Sequence, residues 1–426
     1  MAAPLASGDL ERTWPFTNTQ VGGAFGTLLR DHRSSARLTQ EELAELSGMS
    51  VRAIRNLEIG RTERPQQHTV HQLAGALRLT DSAHGALLVA AGRAHLALAG
   101  IDQRGTPAPC ELPADTQRLV GRSEVLARLT EFLGSTGTAE PKLAIVTGAP
   151  GTGKTATVVH IAHQLRSNYP DGQIYADLEA PDGSPVPASA LLGRLLRSLG
   201  MSSVPDNVDE RGGLLRTIVA ARRVLLVLDN AAGEAQIRPL LTLSPRSAVL
   251  VASRQRLTAL RCGRTVVLAP LGEVDALVLL AELVGTRRVL AEPQAAKGLA
   301  EYCARRPLAL HIAGAWLAPR PRRTLAELAR LLQDERRRLD HLDVADLSVR
   351  GSVAASLRRL DEREQRTVAL LVATGRAEFD ADELHRIDQD SVEKLFQANI
   401  LLAENGRYQV DPLVRLVVRE NELKGT

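Results

Sequence analysis

The chain has 426 residues, a formal net charge of +4 and 24% charged side chains. That length supports two to four domains with cores of their own, and the mild positive balance permits nucleic-acid contact without requiring it. Cys110, Cys262 and Cys303 stand far apart with no C-x-x-C spacing, so neither a disulfide framework nor a zinc site is expected, and a reducing cytoplasm is. Aromatic residues make up 3% of the chain, too few for single-strand stacking platforms, and no apolar run reaches the roughly 18–20 residues a membrane span needs.

Residues 1–21 are polar, contain Pro and Gly, and read as a loose tail. Residues 22–95 carry dense helical periodicity and predict an all-α domain. Within them, Leu38 to Gly60 reads as helix, tight turn, helix. Thr39 caps the first helix and Glu42 completes a capping box, Gly48 supplies the turn, and Ser50 caps the second helix. On that second helix Ala53, Ile54 and Leu57 share one side, and Val51, Arg52, Arg55 and Asn56 the other. A short helix offering two arginines and an amide suits the major groove of double-stranded DNA. The same spacing also suits an ordinary amphipathic hairpin with a solvated polar face.

Residues 96–116 hold three prolines and two glycines and predict a linker. From 117 to 269 apolar strands alternate with amphipathic helices, the pattern of a parallel α/β sheet. The predicted strands are Leu143–Thr147, Gln173–Leu178, Val224–Asp229, Ala248–Ser253 and Thr265–Leu268. The first runs into Gly148-Ala149-Pro150-Gly151-Thr152-Gly153-Lys154-Thr155, which satisfies G-x-x-x-x-G-K-[ST]. The glycines let several N–H groups face one phosphate, and the helix beginning near Lys154, Thr155 and Ala156 adds its positive end. Lys154 is expected to reach the β- and γ-phosphates of ATP (the β-phosphate of ADP), and the Thr155 hydroxyl to ligate Mg²⁺. Asp229, closing an apolar strand, is the second expected metal ligand. Arg254, just past the strand at 248–253, is placed to sense a γ-phosphate. Lys154, Asp229 and Arg254 are therefore the candidate catalytic set. Residues 270–345 predict helices alone. Residues 346–421 predict helices and then a hairpin, Ile400–Ala403 and Tyr408–Val410, around Glu404-Asn405-Gly406.

Thr39 to Pro65 resembles the helix-turn-helix of phage repressors and xenobiotic-response-element regulators, including Leu57-Glu58-Ile59-Gly60 and Glu63-Arg64-Pro65. The resemblance implies that Gln40 contacts phosphate, that Val51, Arg52 and Asn56 face base edges, and that Arg64 approaches the backbone or minor groove. Residues 117–420 resemble the signal-transducing STAND ATPases of NB-ARC type found in actinobacterial transcriptional regulators. Leu119-Val120-Gly121-Arg122 is similar to the leading motif that lies against adenine. Leu228-Asp229-Asn230-Ala231 resembles the Walker B variant, and Arg306-Pro307-Leu308-Ala309-Leu310 the "G-x-P-L-A-L" helix start, whose proline packs on the base. Arg407 to Arg415 resembles the winged-helix strand carrying the "methionine-histidine-aspartate" motif. Three departures from the pattern stand out. Arg305 replaces the motif glycine, Asn230 replaces an acid that would activate water, and Asp411 and Pro412 stand where histidine and aspartate are usual. An amide is no base, so slow hydrolysis is expected, and an aspartate there, unless turned away or protonated, repels phosphate and implies a weaker ADP-held state.

The implied architecture is a helix-turn-helix domain (22–95), a linker, a P-loop domain (117–269), a helical subdomain (270–345) and a winged helix (346–421). The implied function is a transcriptional regulator that assembles into homo-oligomers on DNA under ATP/ADP control, with no membrane partner. A P-loop kinase or fast ATPase, and a scaffold whose N-terminal helices bind protein, remain as alternatives.

Overall fold

A computed structural model of the chain describes residues 24–62, 65–77, 79, 83, 87, 90–91, 108–116, 118–135, 142–241, 244–260, 263–404 and 406–425. The predicted tail, Arg64, Cys262, Asn405 and residues 96–107 lie outside the described residues. The chain divides into two compact units, Met1–Thr106 with Met201–Ser203, and Pro107–Gly200 with Val204–Thr426.

The first unit is helical: α1 (Ala24–Ser35), α2 (Gln40–Ser47), α3 (Val51–Glu58) and α4 (Gln67–Ala76). Thr39 and Glu42 form the capping box on α2, with Glu42 N–H donating to Thr39 Oγ1 at 3.1 Å and Thr39 N–H to Glu42 Oε2 at 2.7 Å. Gly48 ends α2 in the left-handed conformation, φ +69°, which a β-carbon would strain. Ser50 caps α3 by accepting from Ala53 N–H. Ile54 and Leu57 enter a core shared with Phe25, Leu29, Leu43, Val70 and Leu73, while Val51, Arg52 and Arg55 face solvent.

Glu58 is the polar anchor of this unit. It is 4% exposed, and its carboxylate accepts from Arg33 Nε at 2.6 Å, Arg33 Nη2 at 3.1 Å and Gln40 Nε2 at 2.7 Å. One side chain thus ties α1, α2 and α3. Gln40, expected to reach out to a phosphate, spends an amide donor inward on Glu58. Burial alone would raise the Glu58 carboxyl, but the hydrogen bonds from Arg33 and Gln40 outweigh it and hold the group below its ordinary value. A depressed carboxyl stabilises the fold above its unfolded pKa, and that contribution is lost as pH falls through the folded value.

The second unit is built on a five-stranded parallel sheet of order β2-β3-β4-β1-β5. The strands are β1 (Lys142–Thr147), β2 (Gln173–Asp177), β3 (Leu225–Ala231), β4 (Ala248–Ser253) and β5 (Arg264–Val267). All residues of β1 and β4 are buried, as strands covered on both faces must be. Leu129 and Leu133 from α5 (Ser123–Gly134) and Val158, Ile161 and Ala162 from α6 (Lys154–Gln164) pack with Ala144, Val146, Val227 and Leu250. Two further helices, α7 (Ala188–Ser198) and α8 (Val208–Ala220), pair with each other.

The described part of the predicted linker, 108–116, lies along the sheet. Cys110 bridges to Gln173 beside β2, Gln173 N–H donates to Pro109 O at 2.7 Å, and Leu112 packs on the sheet core. Its prolines set an extended path that the sheet edge can pair with, a reading that composition alone cannot separate from a loose connection.

Beyond β5 come α9 (Glu273–Val284), α10 (Pro293–Tyr302), α11 (Pro307–Leu317), α12 (Leu325–Gln333), α13 (Val349–Leu357), α14 (Glu362–Ala373) and α15 (Gln389–Gln397). The antiparallel hairpin β6 (Leu401–Glu404) and β7 (Arg407–Val410) follows, and α16 (Pro412–Gly425) closes the chain. Phe379 bridges Tyr408 and adds a short third strand position. The order of α14, bridge, helices and hairpin suits a winged helix. The buried apolar side chains from Leu271 to Val418 nevertheless form one continuous cluster, so the two predicted C-terminal domains share a core.

Replacing Glu58 by alanine strands Arg33 and Gln40 and should cost the first unit about 2–3 kcal/mol. Hydrogen exchange on the intact chain should show faster exchange in α1 to α3 and unchanged protection in β1 and β4. The same amides in the wild type should lose protection as pH is lowered below the ordinary carboxylate range. Unchanged exchange in the variant would contradict the anchoring role.

Candidate nucleotide-binding site

Sheet order sets the site. β4 lies between β1 and β3, so Arg254, just past β4, falls between the loop after β1 and Asp229 on β3. Residues distant in sequence meet where parallel strands end, the usual crevice of such sheets.

The loop from Gly148 to Gly153 turns on positive φ angles at Gly148 (+153°), Gly151 (+76°) and Gly153 (+89°). A β-carbon at Gly148 would lie 2.7 Å from Leu268 O, so the loop can follow this path only with glycine. Ala149, Pro150 and Thr152 are buried beneath it, and Thr152 Oγ1 donates to Ala149 O at 2.9 Å. Gly153 is the N-cap of α6 and gives it no side-chain cap, so the first-turn N–H groups, among them those of Thr155 and Ala156, are left for an acceptor from outside the helix.

Lys154 folds onto this loop, donating from Nζ to Gly148 O at 2.9 Å and Ala149 O at 3.0 Å. Burial pulls its pKa down to about 7, with Arg254 and Arg306 adding repulsion and Asp229 and Asp411 opposing it. Asp229 accepts from the Tyr175 hydroxyl at 2.8 Å and from Asn230 N–H at 2.9 Å, and the Thr155 hydroxyl also bonds to it. Burial raises the Asp229 carboxyl above its ordinary value, against those three hydrogen bonds. The two residues read from sequence as metal ligands, Thr155 and Asp229, are thus in contact.

Arg254 is held by Glu179 at 3.3 Å, and Glu179 also holds Arg359 at 3.0 Å. Its Nη1 is buried without a partner among the described residues. Arg122 is buried and donates to Thr152 O at 3.1 Å and Ala269 O at 2.9 Å, so it braces the phosphate loop from behind. Gly121, φ +69°, lies against Asp275, and Val120 packs on the C-terminal core. Pro307 opens α11 beside Gly153, and Leu308 N–H donates to Gly151 O at 3.2 Å. Arg305, which stands where the motif glycine was expected, has φ +50°, so the chain keeps the left-handed turn without the glycine.

Asn230 also has a left-handed backbone, φ +55°, at a register shift between β3 and β4. Asparagine tolerates that conformation better than most residues. Its amide donates to Asp177 Oδ1 at 3.1 Å.

Asp411 takes the first of the two ways in which an aspartate at this position avoids repelling a phosphate: its carboxylate is turned onto a cation. It is 1% exposed and forms an ion pair with Arg306, equally buried. Sequence reading used Arg306 only as the residue ahead of Pro307, and it passed over Tyr175, Asp177 and Glu179. The signal for the last three was the β2 strand ending Tyr-Ala-Asp-Leu-Glu, a run of acids at the same sheet end as Asp229.

Among the described residues no cluster of His, Cys, Asp and Glu could hold a metal ion by itself, and no helix is long and apolar enough to cross a membrane.

A family model for a helix-turn-helix domain matches residues 24–87, and one for an AAA domain matches 138–244. The regulatory protein AfsR of Streptomyces griseus is 37% identical over 323 residues, covering 73% of this chain and 33% of AfsR. AfsR of Streptomyces coelicolor is 36% identical over 326 residues, with the same coverage. The chain therefore spans about a third of the length of these curated relatives. Among solved structures, a Walker-type ATPase of Pyrococcus abyssi aligns with a TM-score of 0.46 at 16% identity, over 72% of this chain and 99% of that one. A STAND protein with a tetratricopeptide repeat sensor from Pyrococcus horikoshii aligns with a TM-score of 0.36 at 16% identity, over 74% and 44%. A P-loop ATPase domain implies a nucleotide ligand. The chain joins such a domain to a helix-turn-helix domain and is homologous, over most of its own length, to part of the AfsR regulatory proteins.

Proposed function

We propose that this protein is a nucleotide-switched, DNA-binding transcriptional regulator of the STAND type. The observation that carries the reading is the convergence of the uncapped start of α6, Lys154, the Thr155–Asp229 contact and Arg254 at one end of the sheet. A site of this charge and shape suits a nucleoside polyphosphate with Mg²⁺. Gly148 to Ala156 would hold the phosphates, and Val120, Gly121, Arg122 and Pro307 would lie toward adenine. Thr155 and Asp229 would hold the metal, whose role is to neutralise charge across the β- and γ-phosphates. Arg254, with a buried donor to spare, is suited to a γ-phosphate.

On the first unit, Arg52 and Arg55 project from α3 with Val51, next to Asn56, and the capping Ser50 at the start of α3 is exposed. We assign these residues to the major groove. Arg64 and the outer edge of Gln40 belong to the flanking backbone contacts. Because one short helix makes few contacts, several copies brought together by ATP in a homo-oligomer would gain avidity. Nucleotide shifts such an equilibrium only through its different affinity for the two states. Asn230 offers no base, so turnover would be slow and the site would serve as a switch in the cytoplasm.

Light scattering with ADP and with a non-hydrolysable ATP analogue, with and without duplex DNA, should show a larger assembly in the ATP-like state. Lys154→Ala should remove that difference and bind neither nucleotide; a variant assembling as wild type does would end the switch model. Arg52→Ala should weaken binding to a selected operator by about 1–3 kcal/mol and relax the choice of one base. Equal affinity and selectivity in a competition assay would show that α3 does not read DNA.

A further inference from the structure

We propose that Arg306 is a phosphate ligand of the nucleotide site and that Asp411 is its counter-ion when no nucleotide is bound. The two phosphate-bearing states and the C-terminal helix α16 would then share one guanidinium. The inference rests on the nucleotide reading above and adds to it a contact that no P-loop motif supplies.

Three observations carry it. The first is position. Arg306 directly precedes α11, whose Leu308 N–H is bonded to Gly151 O in the phosphate loop. A β-carbon placed on Gly151 would lie 3.9 Å from Arg306 Cβ. Arg306 is also close enough to Lys154 to repel its charge.

The second is incomplete satisfaction. Arg306 has 1% of its surface exposed, its Nη2 meets Asp411 Oδ2, and its Nε has no partner among the described residues. A guanidinium carries five N–H donors, and burying it with part of that set unused is costly. A purely structural position of this size would be filled more stably by an apolar side chain.

The third is the divided role of Asp411. Its Oδ1 accepts from Leu413 N–H at 3.0 Å and Val414 N–H at 3.2 Å, so it also caps α16. The carboxylate is therefore fixed by the helix whether or not Arg306 stays with it. Around Lys154, Asp229 and Asp411 oppose the repulsion from Arg254 and Arg306, while Glu179 is shared between Arg254 and Arg359. The unpartnered Arg306 Nε and Arg254 Nη1 are donors that a di- or triphosphate would engage. On binding, Arg306 would turn donors toward the phosphates, and its hold on Asp411, and hence on α16, would slacken.

The two halves of the pair then have opposite effects on affinity, which a merely structural ion pair would not produce. Titration calorimetry on the full chain would use ADP and, separately, inorganic pyrophosphate. Arg306→Gln should weaken ADP about tenfold, the loss of one charge-assisted hydrogen bond, while Arg306→Lys recovers much of it. Asp411→Asn keeps the capping oxygen but frees Arg306, and it should tighten ADP several-fold. The double variant Arg306→Gln/Asp411→Asn leaves no isolated buried charge and should bind as weakly as Arg306→Gln, with circular dichroism confirming its fold. Pyrophosphate should follow the same order. Wild-type affinity in Arg306→Gln, or weakened binding in Asp411→Asn, would overturn the assignment. So would loss of ADP without loss of pyrophosphate, which would place Arg306 on the nucleoside. Failure of the wild type to bind ADP at all would instead remove the nucleotide reading, and this contact with it.

Discussion

Arg122, Lys154, Arg254 and Arg306 meet around one loop at the end of a parallel sheet, largely buried and with Arg254 Nη1 and Arg306 Nε left without a partner among the described residues. Each is tethered. Arg122 rests on main-chain carbonyls, Lys154 on its own loop, Arg254 on Glu179, and Arg306 on Asp411. Desolvated like charges repel strongly, so a fold that keeps four of them together is poised for an anion. Glycines at 148, 151 and 153 keep the main chain close enough to let that anion also meet backbone N–H groups.

The tethers come from different parts of the second unit. Glu179 follows β2, Asp411 follows the hairpin, and Asn399, between α15 and β6, donates to Thr147 Oγ1 at 3.0 Å and Arg254 O at 2.8 Å. The C-terminal helices are therefore wired to the strand ends by polar contacts, over a core that runs unbroken from Leu271 to Val418. The phosphate loop and α16 are thus joined through packed and hydrogen-bonded neighbours.

Much of this was legible in the sequence because it is local. The phosphate loop declares itself by glycine spacing, the helix-turn-helix by its caps, and the strands by apolar runs, all found within a residue or two. What escaped was set by tertiary pairing. Nothing local marks Arg306 and Asp411 as partners, 105 positions apart, or shows that Glu58 draws Gln40 inward. The segment 108–116 looked like a connector because prolines suit both a loose tether and an extended edge. Asn230 read as a lost acid, and its left-handed backbone supplies a conformational reason for the amide.

The Glu58 anchor has a consequence for how the N-terminal unit can evolve. Among the described residues, the buried side chains that tie α3 to its neighbours are Ile54, Leu57 and Glu58. Positions 51, 52 and 55 lie exposed, outside that core. They are open to replacement at little thermodynamic penalty, so a lineage could retarget this surface one side chain at a time while the scaffold beneath stays the same.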